Sequence, residues 1–202
     1  SVVGYNLKPD ILIHGSPCQD FSAAGKQYGG NVEDGTRSSL MFETIKIIKG
    51  FGAWKPRFVI WENVENVLSK KMRCAFDKYL YDMENLGYTN SYEVLDARDF
   101  GIPQARRRIF TISILGNEVF DFDKLEKVKM KSIQDFLEKE VTDEKYMVTQ
   151  PSMIRRLPDK PKVDTFGGRM LDEVKEYAYT ITTKQMRVPN SGVIPIGNGK
   201  WR

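Results

Sequence analysis

The chain has 202 residues, 41% of them hydrophobic, and its 31 basic and 27 acidic residues give a net charge of +4 at pH 7. This length suffices for one well-packed core with a small second domain. With no long apolar run and no basic-then-apolar leader, the sequence predicts a soluble protein with no membrane partner. Its two cysteines, Cys18 and Cys74, lack the spacing of a zinc site or a redox pair, so we expect no metal and a reducing, cytoplasmic compartment.

The first predicted element is an apolar run, Ile11–Ile13, which is typical of a strand covered on both faces. A turn at residues 15–17 ends this strand, so Cys18 is predicted on a loop at its carboxyl end. In an open α/β sheet, ligands bind at that edge. Its position therefore makes Cys18 a candidate for chemistry.

The chain then continues with a glycine-rich polar stretch, Gly25–Arg37, which predicts a mobile loop that closes over bound substrate. Alternating helices and strands follow, and this order predicts an α/β domain with a mainly parallel sheet. The predicted helices are Ser39–Lys49 and Met72–Leu86, and the predicted strands are Arg57–Trp61, Tyr92–Leu95 and Arg108–Leu115. The aromatic residues around the second strand are interpreted as core residues: Phe51, Trp54, Phe58 and Trp61. Cys74 in the second helix is interpreted as packed in the core as well.

Beyond Gly116 the chain changes character, and we predict a second, irregular domain over 116–202 after a first domain over 1–115. Asp121–Glu144 is charged with helix-like pieces, and Pro151–Gly168 is rich in proline, glycine and arginine. Tyr179–Ile196 mixes short strand-like pieces with turn residues. The internal fold of this domain cannot be predicted from its pattern.

A catalytic cysteine needs a base, a cation or a helix dipole nearby, because the thiolate is its reactive form. The single histidine, His14, lies on the short predicted strand that leads to Cys18, four residues before it. An extended chain keeps the two side chains apart. We therefore interpret His14 as a packed strand residue, which argues against a cysteine hydrolase. A thiolate can also attack an electron-poor ring carbon such as C6 of a pyrimidine.

Attack on such a ring requires an acid at the ring nitrogen and a cation at the carbonyl oxygen. Glu62 ends the second strand, so we expect it at the same sheet edge as Cys18. Alternation along an extended chain directs Arg106 and Arg108 to one face and Arg107 to the other. Two alternatives stay open: Glu62 could cap the next helix, and the arginine run could be a solvated face.

Three short motifs together resemble those of the C5-cytosine DNA methyltransferase family, in the family's order and spacing: Pro17-Cys18-Gln19, Glu62-Asn63-Val64 and Gln104-x-Arg106-x-Arg108. The likeness covers about residues 8–115. It implies a Rossmann-like fold dependent on S-adenosylmethionine, in which the target base is flipped out of duplex DNA. The second domain would then be the target-recognition domain.

The resemblance also implies roles for single residues. Cys18 would add to C6 of cytosine, Glu62 would engage N3 and the exocyclic amine, and Arg108 would hold O2. Arg106 would orient the nucleophile loop or its phosphate. The remaining implied contacts are with substrate, through Gln19, Ser22, Asn63, Gln104, Thr182 and Thr183, and with the methyl donor, through Pro17 and Leu40.

The chain departs from the family at both ends. It lacks the glycine-rich loop of the type Phe-x-Gly-x-Gly, the ribose-binding acid and the closing segment, so we expect the first strands to be missing and the chain alone to be an incomplete enzyme. Missing segments or a partner chain would complete the donor site. We expect an exposed apolar sheet edge that favours a dimer.

The function predicted from these features is DNA cytosine-C5 methylation with S-adenosylmethionine, for restriction-modification or phage or host DNA modification in a bacterial or phage-infected cell. The first alternative is methylation of transfer RNA, because a branch of the family with similar motifs acts on that substrate. The second is a DNA-binding fragment without activity. Comparing methyl labelling of duplex DNA with that of transfer RNA distinguishes the first two functions. Salt-dependent DNA binding without methyl transfer would indicate the third.

Overall fold

The computed structural model of the chain describes residues 8–16, 41–141, 143–160, 170–180 and 192–202. Its contacts divide the chain into two units. The first unit combines Ser1–Leu95 with Arg107–Leu125, and the second combines Asp96–Arg106 with Glu126–Arg202. Among the described residues, no helix is long and apolar enough to span a membrane.

A mixed sheet forms the centre of the first unit. Among the described residues its strands, in the order β1-β2-β5-β3, are β1 (Ile11–His14), β2 (Phe58–Val64), β5 (Arg107–Leu115) and β3 (Tyr88–Asp96). β1 runs parallel to β2, whereas β2 and β5 are antiparallel. The prediction of a mainly parallel sheet is therefore wrong for the described strands. The physical reason is that the connection from β3 to β5, over 97–106, is too short for the crossover that a parallel neighbour requires.

Two helices cover one face of this sheet: α1 (Met41–Gly50) and α2 (Arg73–Asn85). Both predicted helices are confirmed, and Gly87 with its φ of 91° allows the chain to reverse after α2. The core draws on both helices and on alternate residues of the strands: Met41, Phe42, Ile45, Ile48, Val59, Trp61, Phe76, Tyr79, Met83 and Ile109.

β1 is not covered on both faces, so that prediction is wrong. Ile11 is 53% exposed and Ile13 is 69% exposed, while Leu12 packs against the core. The reason is that α1 and α2 lie on the Leu12 face only. β1 also ends the strand order of the described sheet, and pairing of this edge with another chain stays a prediction.

Two further core predictions are wrong. Cys74 is exposed on α2, because the buried face of that helix is formed by Ala75, Phe76, Tyr79 and Met83. Trp54 is exposed as well, with Lys8 Nζ 3.3 Å from its ring centroid. Trp61, by contrast, is fully buried as predicted.

The second unit has a small core of its own, formed by Met153, Leu157, Leu171, Val193 and Trp201. Its described elements are short: β4 (Gln104–Ala105), α3 (Pro151–Ile154), β6 (Ala178–Tyr179), β7 (Pro195–Gly197) and β8 (Lys200–Trp201). The helix-like pieces predicted in the charged segment are single 3₁₀ turns, such as Ile133–Phe136. β4 pairs with β6, which is why residues 96–106 group with this unit rather than with the predicted first domain.

Candidate active site

The candidate site lies at the carboxyl ends of the parallel strands β1 and β2. Side chains alternate across a strand, so β2 directs Trp61 and Asn63 to the buried helix side of the sheet and Glu62 to the opposite side. Glu62 and Arg108 share that opposite side, because Arg108 is the register partner of Val64 in the antiparallel neighbour β5.

Glu62 and Arg108 form an ion pair, with Arg108 Nε 3.1 Å from Glu62 Oε1. The Arg108 side chain is 21% exposed and that of Glu62 is 36% exposed, so both members of the pair are partly accessible to solvent. Arg108 Nη1 also donates to the Arg107 carbonyl at 2.7 Å, which fixes the guanidinium. Glu62 does not cap a helix: the turn that follows has Val64 at its N-cap and no side-chain cap.

The end of β1 lies directly against the Glu62 carboxylate. A Cβ built at Gly15 would lie 3.6 Å from Glu62 Oε2 and 3.7 Å from the Glu62 carbonyl oxygen. Cys18 follows three residues later in the sequence, and three residues span at most about 11 Å. Cys18 itself lies outside the described residues, and a place for it beside the Glu62–Arg108 pair stays a prediction.

On the buried side of the sheet, Asn63 and Trp61 hold Ser16. Asn63 Nδ2 donates to the Ser16 carbonyl at 3.2 Å and to Ser16 Oγ at 3.0 Å. Trp61 Nε1 donates to the same Oγ at 3.1 Å. Asn63 Oδ1 accepts from the Val64 backbone N–H at 2.8 Å, which orients the amide. These bonds connect Asn63 to the backbone before Pro17; the predicted contact of Asn63 with substrate stays a prediction.

His14 is packed between the sheet and both helices. Its Nε2 lies 3.1 Å from the Tyr79 hydroxyl, its Nδ1 lies 3.0 Å from Thr44 Oγ1, and its ring stacks on Trp61 with centroids 6.3 Å apart. Burial lowers the pKa of His14 from 6.5 to about 4 and raises that of Tyr79 above its ordinary value. A neutral imidazole with both nitrogens engaged is a structural residue, as predicted, rather than a base.

The buried neutral state of His14 predicts acid sensitivity of the fold. Because the folded-state pKa lies below the unfolded value, the unfolded chain binds the proton first, and stability is lost as the pH falls from 6.5 towards 4. We expect this residue alone to account for about 3 kcal/mol of unfolding free energy over that range. Urea unfolding between pH 7 and pH 4 measures it, with His14→Gln as the comparison. Parallel pH curves for the two proteins would contradict the prediction.

The other arginines of the motif have different surroundings. Arg107 is exposed, and its Nη2 lies 2.8 Å from Glu65 Oε1, on the side of β5 opposite to Arg108. Arg106 belongs to the second unit, where its carbonyl accepts from Ala97 N at 3.0 Å. Gln104 begins β4 in the same unit, half-buried. Roles for Arg106 and Gln104 at the site stay predictions.

Several predicted site residues lie outside the described residues, namely Pro17, Cys18, Gln19, Ser22, Leu40, Thr182 and Thr183, together with the predicted loop Gly25–Arg37. Within the described part, no group of three or more histidine, cysteine, aspartate or glutamate side chains could hold a metal ion. Sequence reasoning missed Ser16 and the partners of His14. Alternation along β2 could have indicated a partner for Asn63, because it places this polar side chain on the buried face.

Sequence comparison shows which known proteins this chain is similar to. The family described as "C-5 cytosine-specific DNA methylase" matches residues 4–193. The Type II methyltransferase M2.ScrFI of Lactococcus lactis subsp. cremoris is 45% identical over 139 residues, which are 68% of this chain and 38% of that protein. The orphan methyltransferase M.SssI of Spiroplasma monobiae is 42% identical over 135 residues, 66% of this chain and 34% of that protein. The chain thus spans little more than a third of the length of these relatives.

A solved structure supports the fold. The crystal structure of the S. pombe Dnmt2 methyltransferase matches with a TM-score of 0.67 and 16% sequence identity, over 98% of this chain and 57% of that one. The described sheet with its helices is therefore part of a Rossmann-like methyltransferase fold, as predicted.

Proposed function

Because this chain belongs to the C-5 cytosine-specific DNA methylase family, we propose that it carries the base-binding and nucleophilic residues of a DNA cytosine-C5 methyltransferase. The observation that carries the proposal is the Glu62–Arg108 ion pair against Gly15, at the sheet edge from which the chain continues to Cys18. A carboxyl group and a guanidinium on one open face are the two groups that polarise a pyrimidine ring.

The pair can act on cytosine as one unit. A guanidinium has five N–H donors, so Arg108 can turn one of them to the base carbonyl O2 while the chain holds it in place. Glu62 would contact N3 and the exocyclic amine once its Oε1 is released from Arg108 Nε. Both contacts withdraw electrons from the ring and strengthen as charge develops there, so they stabilise the transition state more than the bound base.

Cys18 supplies the nucleophile in this proposal. Its thiolate forms a bond to C6, and the electron pair of the C5–C6 double bond becomes available at C5. C5 takes the methyl group. A solvent water then accepts the C5 proton, the C–H electron pair re-forms the C5–C6 double bond, and the C6–S bond breaks, which restores the aromatic ring and the thiolate. When bound, S-adenosylmethionine would supply the electrophilic methyl group, with a neutral thioether as the leaving group. The residues proposed for this donor are Pro17 and Leu40.

We further propose that the second unit contacts the DNA. Three exposed lysines lie on its segment 126–132: Lys127, Lys129 and Lys131. Lys127 lies 3.5 Å from Asp99, whereas no acidic partner of Lys129 or Lys131 is found among the described residues. Backbone bonds from Val128 N to the Asp99 carbonyl and from Ile133 N to the Glu176 carbonyl hold the segment. Such a fixed basic surface suits a phosphate backbone.

The salt dependence of DNA binding tests this surface. Each lysine that neutralises a phosphate contributes about 0.9 to the slope of log K against log salt, so replacing all three with glutamine should lower the slope by about 2 to 3. The matched control removes three exposed lysines from the helices of the first unit, Lys46, Lys49 and Lys78. An equal change in both triple variants would mean that the segment makes no specific contact.

Methyl transfer itself is tested with the full-length protein, tritiated S-adenosylmethionine and two substrates, mixed-sequence duplex DNA and transfer RNA. The proposal expects tritium in the DNA, at C5 of cytosine. Label in transfer RNA alone would contradict the proposal and indicate a transfer RNA methyltransferase. Salt-dependent DNA binding without label would indicate a DNA-binding protein without methyltransferase activity.

A further inference from the structure

Resting on the proposed function, we propose that Ser16 is a positioning residue for the nucleophile, held through its hydroxyl and carbonyl by Trp61 and Asn63. Together these three residues are called the Ser16 clamp. Ser16 is the last described residue before Pro17 and Cys18, so any restraint on its backbone is transmitted to Cys18 across two peptide bonds.

The clamp consists of three hydrogen bonds that converge on Ser16. Ser16 Oγ accepts from Trp61 Nε1 at 3.1 Å and from Asn63 Nδ2 at 3.0 Å, while the Ser16 carbonyl accepts from the same Nδ2 at 3.2 Å. Three hydrogen bonds to one residue fix both the position and the orientation of its peptide group. A side chain without an oxygen at this position could keep only the carbonyl bond.

Both donors are buried, so they depend on Ser16. Trp61 is fully buried, and Asn63 is 2% exposed. A buried N–H without an acceptor is strongly unfavourable, and water has little access here. Trp61 is itself fixed by stacking on His14 and by packing against Phe76, with ring centroids 5.6 Å apart. The clamp therefore ties Ser16, two residues before Cys18, to fully buried side chains of the core.

The clamp and the chemistry lie on opposite sides of the same strand. Glu62, between Trp61 and Asn63, faces Gly15, and its two neighbours face Ser16. Two consecutive residues of the approaching chain are thus located by three consecutive residues of β2. This arrangement fixes the backbone from which the chain continues to Cys18, and errors of about 1 Å in the placement of a reacting group can cost about a hundredfold in rate.

The test uses the full-length protein, S-adenosylmethionine and single-turnover formation of the covalent adduct with duplex DNA that carries 5-fluorocytosine. Ser16→Ala should slow adduct formation about 10- to 100-fold and change DNA affinity less than twofold. Ser16→Thr keeps the hydroxyl and should stay within about threefold of the unmodified protein. The double variant Ser16→Ala with Trp61→Phe should be no slower than the slower single variant, because the two residues act as one unit.

Thr111→Val is the matched control. Thr111 is the register partner of Trp61 on β5, it is fully buried, and its hydroxyl has no hydrogen-bond partner among the described residues. Removing this hydroxyl changes the same region of the core without touching the clamp, so the adduct rate should not change. An unchanged rate in Ser16→Ala, or an equal loss of rate and DNA affinity that threonine does not rescue, would overturn the proposal.

A second readout needs no DNA, so it separates failure of the clamp from failure of the proposed function. Iodoacetamide labelling of Cys18, followed by mass spectrometry, should change at least about threefold in Ser16→Ala, while labelling of the exposed Cys74 stays constant. If the unmodified protein forms no adduct, the proposed function fails and the clamp is judged by this labelling alone. Equal labelling of Cys18 in both proteins would then refute the clamp.

Discussion

Replacing Cys18 with alanine should abolish both methyl transfer and the covalent adduct with duplex DNA that carries 5-fluorocytosine. Without the thiolate bond to C6, no electron pair becomes available at C5, so we expect the rate to fall at least about a thousandfold. Fluorine at C5 cannot leave as a proton does, so the unmodified protein should stay bonded to the base. Denaturing electrophoresis of protein mixed with labelled duplex and S-adenosylmethionine measures the adduct.

Cys74→Ala is the natural control for this experiment. Cys74 is exposed on α2 and is therefore open to adventitious reaction, but it lies far along the chain from the predicted motif. We expect the adduct in this variant to form at the rate of the unmodified protein. An adduct that survives in Cys18→Ala and disappears in Cys74→Ala would reverse the assignment of the nucleophile.

The second large effect is expected at Glu62. Glu62→Gln keeps the size of the side chain but removes its acid function and its ion pair with Arg108 Nε. Because the contact with N3 strengthens as the ring gains electrons, the adduct rate should fall about 10²- to 10⁴-fold while DNA affinity changes only a few-fold. Single-turnover kinetics and a binding titration on the same duplex measure the two quantities separately.

The chain offers a closely matched control for that substitution. Glu65 is also paired with an arginine of β5, at 2.8 Å from Arg107 Nη2, but this pair is exposed and lies on the other side of the strand. Glu65→Gln should leave the adduct rate within about twofold, as for other exposed ion pairs. Equal losses in the two variants would show that the Glu62 effect reflects general loss of charge near β5 rather than contact with the base.

Much of the first unit could be predicted because its strands are short, strongly apolar runs with clear ends. The strand that contains Glu62 and the strand that contains Arg108 begin within one residue of their predicted positions, and their register brings the two residues together. Alternation also placed Arg107 away from Arg108, as the structure confirms. These properties are local, so a single sequence contains them.

The rest depends on pairing between distant residues, for which a local pattern carries no signal. The exposure of Ile11 and Ile13 follows from helices that cover only one face of β1. The grouping of residues 96–106 with the second unit follows from the pairing of Gln104 with Ala178. The Ser16 clamp likewise requires knowing that β1 and β2 are neighbours in register.

The two-sided use of β2 has a consequence for how this protein can change. Substitutions at Trp61 or Asn63 change the hydrogen bonds that hold Ser16, whereas substitutions at Glu62 change the carboxylate proposed to contact the base. Either side of the strand can therefore be altered without the other. A single inserted or deleted residue upstream within the strand would exchange the two sides. It would turn the carboxylate into the apolar interior and the amide outwards. We therefore expect length variants of β2 to be eliminated in a random library, even where individual positions tolerate replacement.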